Sequence, residues 1–203
     1  MEVLTAIRQR RAVRHYKPDA VPAGLLRRII VAASWAPSAM NEQLWRFTVV
    51  TGRPLLDEIS AQSKVWMLGG LAALPRPDHF HDLLSDPTFD IFYRAPALVV
   101  ISAPAARPWA IEDCALAAQN LMLAATALEL GSCWIGFAQG WLNTQEGRQA
   151  LKLPAQEQAV APIVIGYPKT VLPPAPRKPL TIAWIGENAL RQQEAGVEPG
   201  LHA

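Results

Sequence analysis

The sequence predicts an α+β fold, with several helices arranged over one central sheet. Continuous apolar runs at residues 47–50, 97–101 and 160–167 have the composition of buried strands. The segments around them carry apolar residues at helical spacing, and no internal repeat or second core is evident. We therefore expect a single domain over residues 1–203.

The helical segments are set off by breakers and caps. Apolar periodicity predicts helices at residues 2–11, 22–33, 55–64, 108–130 and 144–151. The longest of these is apolar nearly all round and rich in alanine, which indicates a buried helix that its neighbours approach closely. Gly131 is the residue expected to terminate it, and residues 133–135 predict a further strand.

Two stretches lack this regularity. Prolines and aspartates interrupt residues 68–93, which we interpret as an excursion over the body of the fold with room for one short helix. Residues 168–203 begin with a proline-rich run and predict an extended C-terminal arm that wraps a neighbour.

Composition excludes several classes of protein. The net charge is only +2, and no aromatic platform accompanies the basic clusters, so a nucleic-acid partner is not expected. No run approaches the roughly 20 apolar residues of a membrane span. No signal peptide is evident, and two cysteines in buried elements indicate a reducing, cytoplasmic compartment. An apolar content of 51% is high for a small protein and suggests burial beyond one core, as in an obligate dimer.

Metal and dinucleotide motifs are not found. The pair His79 and His81 has no further Cys or His near enough to complete a metal site. The chain has no Gly-x-Gly-x-x-Gly motif, so a dedicated dinucleotide fold is not indicated.

Three segments carry residues suited to binding. Arg10, Arg11 and Arg14 crowd the end of the first helix, where guanidinium groups could converge on a phosphate. The alternative is a solvated basic helix end.

The second segment joins the second helix to the first strand. Residues 37–45 include Ser38, Asn41 and Gln43, which hydrogen-bond without titrating and so suit the edge of a flat heterocycle. An ordinary helix–strand turn would have a similar composition.

The third segment is Trp134-Ile135-Gly136, which offers a flat apolar surface and a backbone that a ring can approach closely. A core strand with a turn glycine is the alternative. The adjacent Cys133 has no partnered histidine or acid, so a nucleophilic role is not expected.

Taken in order, these segments resemble the FMN-dependent nitroreductase family. Residues 10–16 are similar to its Arg-Arg-Ser-x-Arg-x-Phe opening, residues 37–45 to Pro-Ser-x-x-Asn-x-Gln-Pro-Trp, and residues 129–137 to Gly-Leu-Gly-x-x-Trp-Ile-Gly-Gly. Residues 166–169 and 177–180 resemble the closing strand and basic tail of the family. The chain departs from these patterns at Ala12, Tyr16, Leu44, Glu129 and Phe137.

The resemblance implies a mostly antiparallel sheet flanked by helices, an intertwined homodimer, and one FMN at each subunit interface. It further implies a ping-pong oxidoreductase that takes electrons from NADH or NADPH and passes them to nitroaromatics, quinones or similar small acceptors. No protein residue is expected to be catalytic, because FMN carries the chemistry. The residues implied in cofactor binding are Arg10, Arg11, Ala12, Arg14, Pro37, Ser38, Ala39, Asn41, Gln43, Cys133, Trp134, Ile135, Gly136, Arg177 and Lys178.

Within that set, a cation near the pyrimidine edge would stabilise reduced FMN. Arg14 is the first candidate and Lys64 the second. Other reactions on the same fold stay open, namely reductive dehalogenation, azoline oxidation and flavin fragmentation, and residues 68–93 would decide among them. A flavin-binding protein without turnover and a basic interaction module are the alternatives outside the enzymes.

Overall fold

A four-stranded sheet lies at the centre of the computed structural model, which describes residues 1–71 and 79–185. Its strands are β1 (Arg46–Thr51), β2 (Ala97–Pro104), β3 (Gly131–Trp134) and β4 (Glu157–Gly166). They are arranged in the order β1-β2-β4-β3, and every neighbouring pair is antiparallel. The predicted α+β class and antiparallel sheet are confirmed.

Position in the sheet explains the apolar runs. The central strands β2 and β4 are buried along almost their whole length because helices cover both faces. β1 and β3 are the two edges, and β1 is exposed at several positions. Strands at opposite edges of this sheet are separated by three inter-strand spacings, or about 14 Å.

Seven α-helices surround the sheet in the described part of the chain. They are α1 (Val3–Gln9), α2 (Ala23–Ala33), α3 (Arg53–Leu71), α4 (His79–Ser85), α5 (Ala110–Ala127), α6 (Gly136–Leu142) and α7 (Gln145–Leu151). One core lies between the sheet and α2 and α5, and the other lies between the sheet and α3, α4, α6 and α7.

Two features differ from the sequence expectation. α3 continues to Leu71, beyond the predicted end at residue 64, and α6 was not predicted. The structure describes only part of the predicted excursion at residues 68–93, because residues 72–78 lie outside the described residues. α4 lies in this segment, where a short helix was expected. Residues 186–203 of the predicted arm also lie outside, and residues 170–185 are exposed and form no helix or strand.

The predicted end of α5 was wrong. Glu129, not Gly131, takes the left-handed conformation after the helix, with φ 60°. Leu130 N donates to Ala125 O at 2.8 Å and Glu129 N donates to Thr126 O at 3.1 Å, the pair of bonds that closes a Schellman motif. The sequence pointed to glycine because glycine adopts this conformation without steric cost.

Gly131 has a different role, as the first residue of β3. A Cβ placed there would lie 2.8–2.9 Å from three side-chain carbons of Val13. The glycine therefore lets the segment after α1 lie directly against β3.

In the part of the chain that the structure describes, no helix is long and apolar enough to cross a membrane. Cys114 on α5 and Cys133 on β3 are buried and unpaired.

Candidate functional site

A cleft of about 350 Å³ opens where β3 ends and α6 begins. Its lining is mostly apolar and partly aromatic, with one basic residue: Arg14, Met67, Tyr93, Cys133, Trp134, Ile135, Gly136 and Phe137. Five of these eight, Arg14 and residues 133–136, were predicted from the sequence to bind a cofactor. The structure therefore brings two separate predicted segments together.

Backbone pairing to β3 explains how Arg14 reaches this cleft. Ala12 forms a parallel bridge with Ser132, and Val13 N donates to Ser132 O at 3.0 Å. The buried Tyr16 hydroxyl then donates to Val13 O at 2.7 Å. These bonds hold the segment after α1 against β3, so that Arg14 lies next to Cys133.

The electrostatics of the cleft are dominated by Arg14. No carboxylate among residues 1–71 and 79–185 lies within ion-pair distance of its guanidinium. Burial raises the pKa of the Cys133 thiol above its ordinary value, although Arg14 opposes the shift. The thiol is therefore neutral near pH 7, which agrees with the expectation that Cys133 is not a nucleophile. An unpaired positive charge beside a flat apolar wall suits a planar, anionic ligand.

Three of the other predicted phosphate ligands, Arg11, Arg177 and Lys178, are not part of this lining. Arg11 donates to Arg8 O, Arg10 O and Pro173 O at 2.6–2.8 Å, and it lines a second cleft beneath the arm. Arg177 and Lys178 lie on the exposed arm. Phosphate binding by these residues and by Arg10 stays a prediction.

The loop at residues 37–43 has an unusual backbone. Met40, Asn41 and Gln43 have φ values of 53°, 55° and 51°, in the left-handed region that non-glycine residues seldom occupy. Gln43 N donates to Ser38 Oγ at 3.0 Å, and Gln43 Nε2 donates to Asn41 Oδ1 at 2.9 Å. The polar side chains predicted to bind a ligand thus shape the loop that carries them.

Two carboxylates tie this loop to the start of α5. Ala39 N donates to Asp113 Oδ1 at 2.9 Å, and Glu42 forms an ion pair with Arg107. Asp113 is buried on the first turn of α5 and was missed at the level of the sequence. An acidic residue in a first helical turn usually signals only a favourable helix dipole, so its contact with a distant loop could not be anticipated.

Loop and cleft do not meet within one chain. The loop leads into β1, whereas the cleft lies at the end of β3, and these strands are opposite edges of the sheet. None of Pro37, Ser38, Ala39, Asn41 and Gln43 lines the cleft.

Lys64, the second candidate for a cation beside the flavin, has another role. Its Nζ donates to Asp86 O at 2.6 Å and Phe89 O at 2.7 Å, and it does not line the cleft. Arg14 is the only cation in the cleft lining among the described residues.

Comparison with known proteins assigns the family. The model of the nitroreductase family matches residues 7–167, well over half of the chain. The chain belongs to the nitroreductase family. The predicted family is therefore confirmed.

Several known proteins are similar to this chain over most of their length. A nitroreductase with bound FMN from Bacteroides fragilis is 32% identical, with a TM-score of 0.79, and the match covers 92% of this chain and all of that one. The NADH dehydrogenase of Thermus thermophilus is 30% identical over 89% of this chain and 93% of its own. The nitrobenzene nitroreductase of Ectopseudomonas oleovorans is 28% identical over 82% of this chain and 87% of its own.

Two residues that depart from the nitroreductase pattern, Glu129 and Phe137, can be placed in the structure. Glu129 occupies the left-handed cap of α5, where the family pattern has glycine. Phe137 adds a ring to the cleft and packs edge-on against Phe80, with centroids 5.5 Å apart. Met67 and Tyr93 also line the cleft but were not predicted, because they come from α3 and from the connection before β2.

Proposed function

We propose that this chain is an FMN-dependent oxidoreductase that uses NAD(P)H to reduce small electron-poor acceptors such as nitroaromatics or quinones. The observation that carries the proposal is the cleft at the end of β3, where Arg14 faces an apolar wall without a carboxylate partner among the described residues. Membership of the nitroreductase family and the FMN bound by the Bacteroides fragilis relative support it.

The residues of the cleft fit FMN. The isoalloxazine is a flat ring with an apolar body and a polar pyrimidine edge, and the lining offers an apolar wall with one cation at its margin. A Cβ built at Gly136 meets no heavy atom within 4 Å, so the backbone there is open to close approach by a ring. Burial of most of a ligand of this kind in a concave apolar site is the usual mode of cofactor binding.

The protein's contribution to the chemistry is positional and electrostatic. FMN, when bound, supplies the capacity to accept a hydride and to pass electrons on. Arg14 would place positive charge where the reduced ring is anionic. Trp134, Ile135 and Phe137 provide the apolar wall. Arg10, Arg11, Arg177 and Lys178 would hold the phosphate.

We further propose a homodimer in which the loop at residues 37–43 reaches the cleft of the other subunit. The separation of loop and cleft at opposite sheet edges supports this arrangement. So does a set of exposed apolar residues on α1, on and just after α2, and on α5, the helix against which α1 and α2 both pack. These are Val3, Leu4, Ile7, Val31, Trp35, Ile111 and Leu116. The two unpaired cysteines support a cytoplasmic location.

Purification tests the proposal directly. We expect a yellow protein whose acid-released flavin is FMN, because the basic residues suit a terminal phosphate dianion. Predominant FAD would contradict the phosphate assignment, and a colourless protein that does not take up added FMN would contradict the cofactor.

Anaerobic titration with NADH and NADPH then tests the enzyme. We expect the flavin absorbance to bleach and to return on addition of a nitroaromatic or quinone. Steady-state rates measured at several concentrations of both substrates should give parallel lines in double-reciprocal plots, as a ping-pong mechanism requires. A flavin that neither nicotinamide reduces would identify a binding protein without turnover.

A further inference from the structure

The cleft is bounded on one side by a strained turn. Tyr93 and Arg94, in the connection between α4 and β2, have φ values of 53° and 59°. Bulky residues seldom adopt the left-handed conformation, and two in succession persist only where the surroundings hold them. Neighbouring groups must therefore hold Tyr93 and Arg94 in this conformation.

A partly buried hydrogen-bond network holds the turn. The Asp90 carboxylate accepts from Phe92 N and Arg94 N, both at 2.9 Å, and from Ser60 Oγ on α3 at 2.7 Å. Arg53, at the start of α3, donates to Arg94 O at 3.0 Å and to Ala95 O at 2.7 Å. The turn is thus held from its own acidic residue and from two positions on α3.

The hydrogen bonds that hold this turn fix the position of the Tyr93 ring. It lines the cleft, and the Arg14 guanidinium carbon lies 6.0 Å from its centroid, within the range of a cation–π contact. Phe89 also packs against the Tyr93 ring, in an edge-on contact with centroids 5.8 Å apart. Burial raises the pKa of the Tyr93 phenol, so the hydroxyl is neutral at physiological pH. Tyr93 therefore holds a guanidinium without neutralising it.

We propose that Tyr93 is a positioning residue for Arg14: the strained turn fixes the ring, and the ring directs the guanidinium into the cleft with its charge available to the reduced flavin. A carboxylate in the same place would hold Arg14 equally well but would cancel the charge on which the site depends. This inference rests on the proposed function, since it assigns a role toward bound FMN.

The test compares Tyr93→Leu with Tyr93→Phe, which keeps the ring, and with Phe89→Leu, which removes an aromatic neighbour that does not line the cleft. For each variant, FMN affinity and the two-electron midpoint potential are measured. We expect Tyr93→Leu to lower the preference of the protein for reduced over oxidised FMN roughly threefold. Tyr93→Phe keeps the ring but loses the hydroxyl beside Arg14, and Phe89→Leu loosens the packing of the ring, so each should give a smaller shift than Tyr93→Leu in the same direction. If Tyr93→Leu does not fold, Tyr93→Met retains more of the apolar volume.

A double-mutant cycle separates positioning from general disturbance of the cleft. In an Arg14→Gln background, Tyr93→Leu should have no further effect on the potential, because the group that it positions is gone. An unchanged potential in the single Tyr93→Leu variant would overturn the inference, as would an equal shift with and without Arg14. A wild-type protein that binds no FMN would instead overturn the proposed function.

Discussion

A single side chain, Arg14, defines the chemistry expected of the cleft. If it lies beside the pyrimidine edge of FMN, Arg14→Gln removes a charge-assisted contact that favours the reduced flavin. Such a contact is worth about 1.5–3 kcal/mol, which corresponds to a two-electron potential roughly 30–60 mV more negative. An anaerobic dye-coupled titration measures the shift.

Arg10→Gln is the matched variant, because Arg10 is assigned to the phosphate and does not line the cleft. It should weaken FMN binding more than Arg14→Gln does and change the potential less. If Arg14→Gln loses FMN binding but keeps the wild-type potential, Arg14 would be assigned to phosphate binding instead. A shift of a few millivolts that disappears with salt would identify a solvated surface cation.

Glu129 offers a second prediction at this scale. A side chain in the left-handed conformation costs about 1–2 kcal/mol, and glycine avoids that cost but loses roughly 0.5–1 kcal/mol in backbone entropy. Glu129→Gly should therefore raise the free energy of unfolding by up to about 1 kcal/mol. Urea denaturation measures the change.

Lys152, with φ 53° at the C-terminal cap of α7, allows the same substitution at a second helix end. Lys152→Gly should stabilise for the same reason. Loss of stability in both variants would mean that these side chains make contacts that outweigh the strain.

At the scale of elements, the contact between β3 and the segment after α1 decides whether the cleft forms. A Cβ at position 131 would overlap Val13, which is branched and buried and so has little freedom to yield. Gly131→Ala should lower the free energy of unfolding by about 1–3 kcal/mol and weaken FMN binding, since Arg14 follows Val13 directly. Chemical denaturation and flavin titration check the two effects.

The double variant Val13→Ala/Gly131→Ala is the control, because the smaller side chain makes room for the new methyl group. It should recover part of the FMN affinity lost in Gly131→Ala. Failure to recover any would indicate that the glycine serves another purpose.

Elements with a strong apolar pattern were predictable from the sequence. The central strands and α5 are buried on several sides, so their composition reports burial directly. α6 could not be predicted in this way, because it is only seven residues long and begins with glycine directly after a strand. The lining of the cleft was predictable where the chain is continuous, as at Cys133 to Gly136. Tyr93 was not, since its place depends on backbone strain that Asp90 and Arg53 impose from outside.

For the molecule as a whole, stability should depend on pH at the alkaline end. Burial raises the pKa of the Cys114 thiol from 9.0 to about 12. The folded state therefore holds this proton more tightly, and the stabilisation is complete below pH 9 and is lost as the pH rises from 9 toward 12. One such group contributes a slope of at most about 1.4 kcal/mol per pH unit. The free energy of unfolding of wild-type protein should fall over this window.

Cys114→Ala should reduce that slope between pH 9 and 10, which urea denaturation at each pH would measure. Burial also raises the pKa of Cys133 and of Tyr16, so the variant retains part of the fall. Equal slopes in wild-type and variant protein would show that Cys114 ionises as readily in the folded state as in the unfolded one.

The placement of loop and cleft at opposite edges of the sheet has a consequence for mixtures of variants. If each site takes its cleft from one subunit and its loop from the other, Asn41→Ala/Gln43→Ala and Arg10→Gln/Arg14→Gln damage different halves of the same site. A mixed dimer would then combine the intact cleft of the first variant with the intact loop of the second. Subunit exchange should restore about one quarter of the sites, because about half of the dimers are mixed and each holds one whole site. Two individually defective proteins would thus complement each other in a test tube, which variants of a site built within one chain could not do.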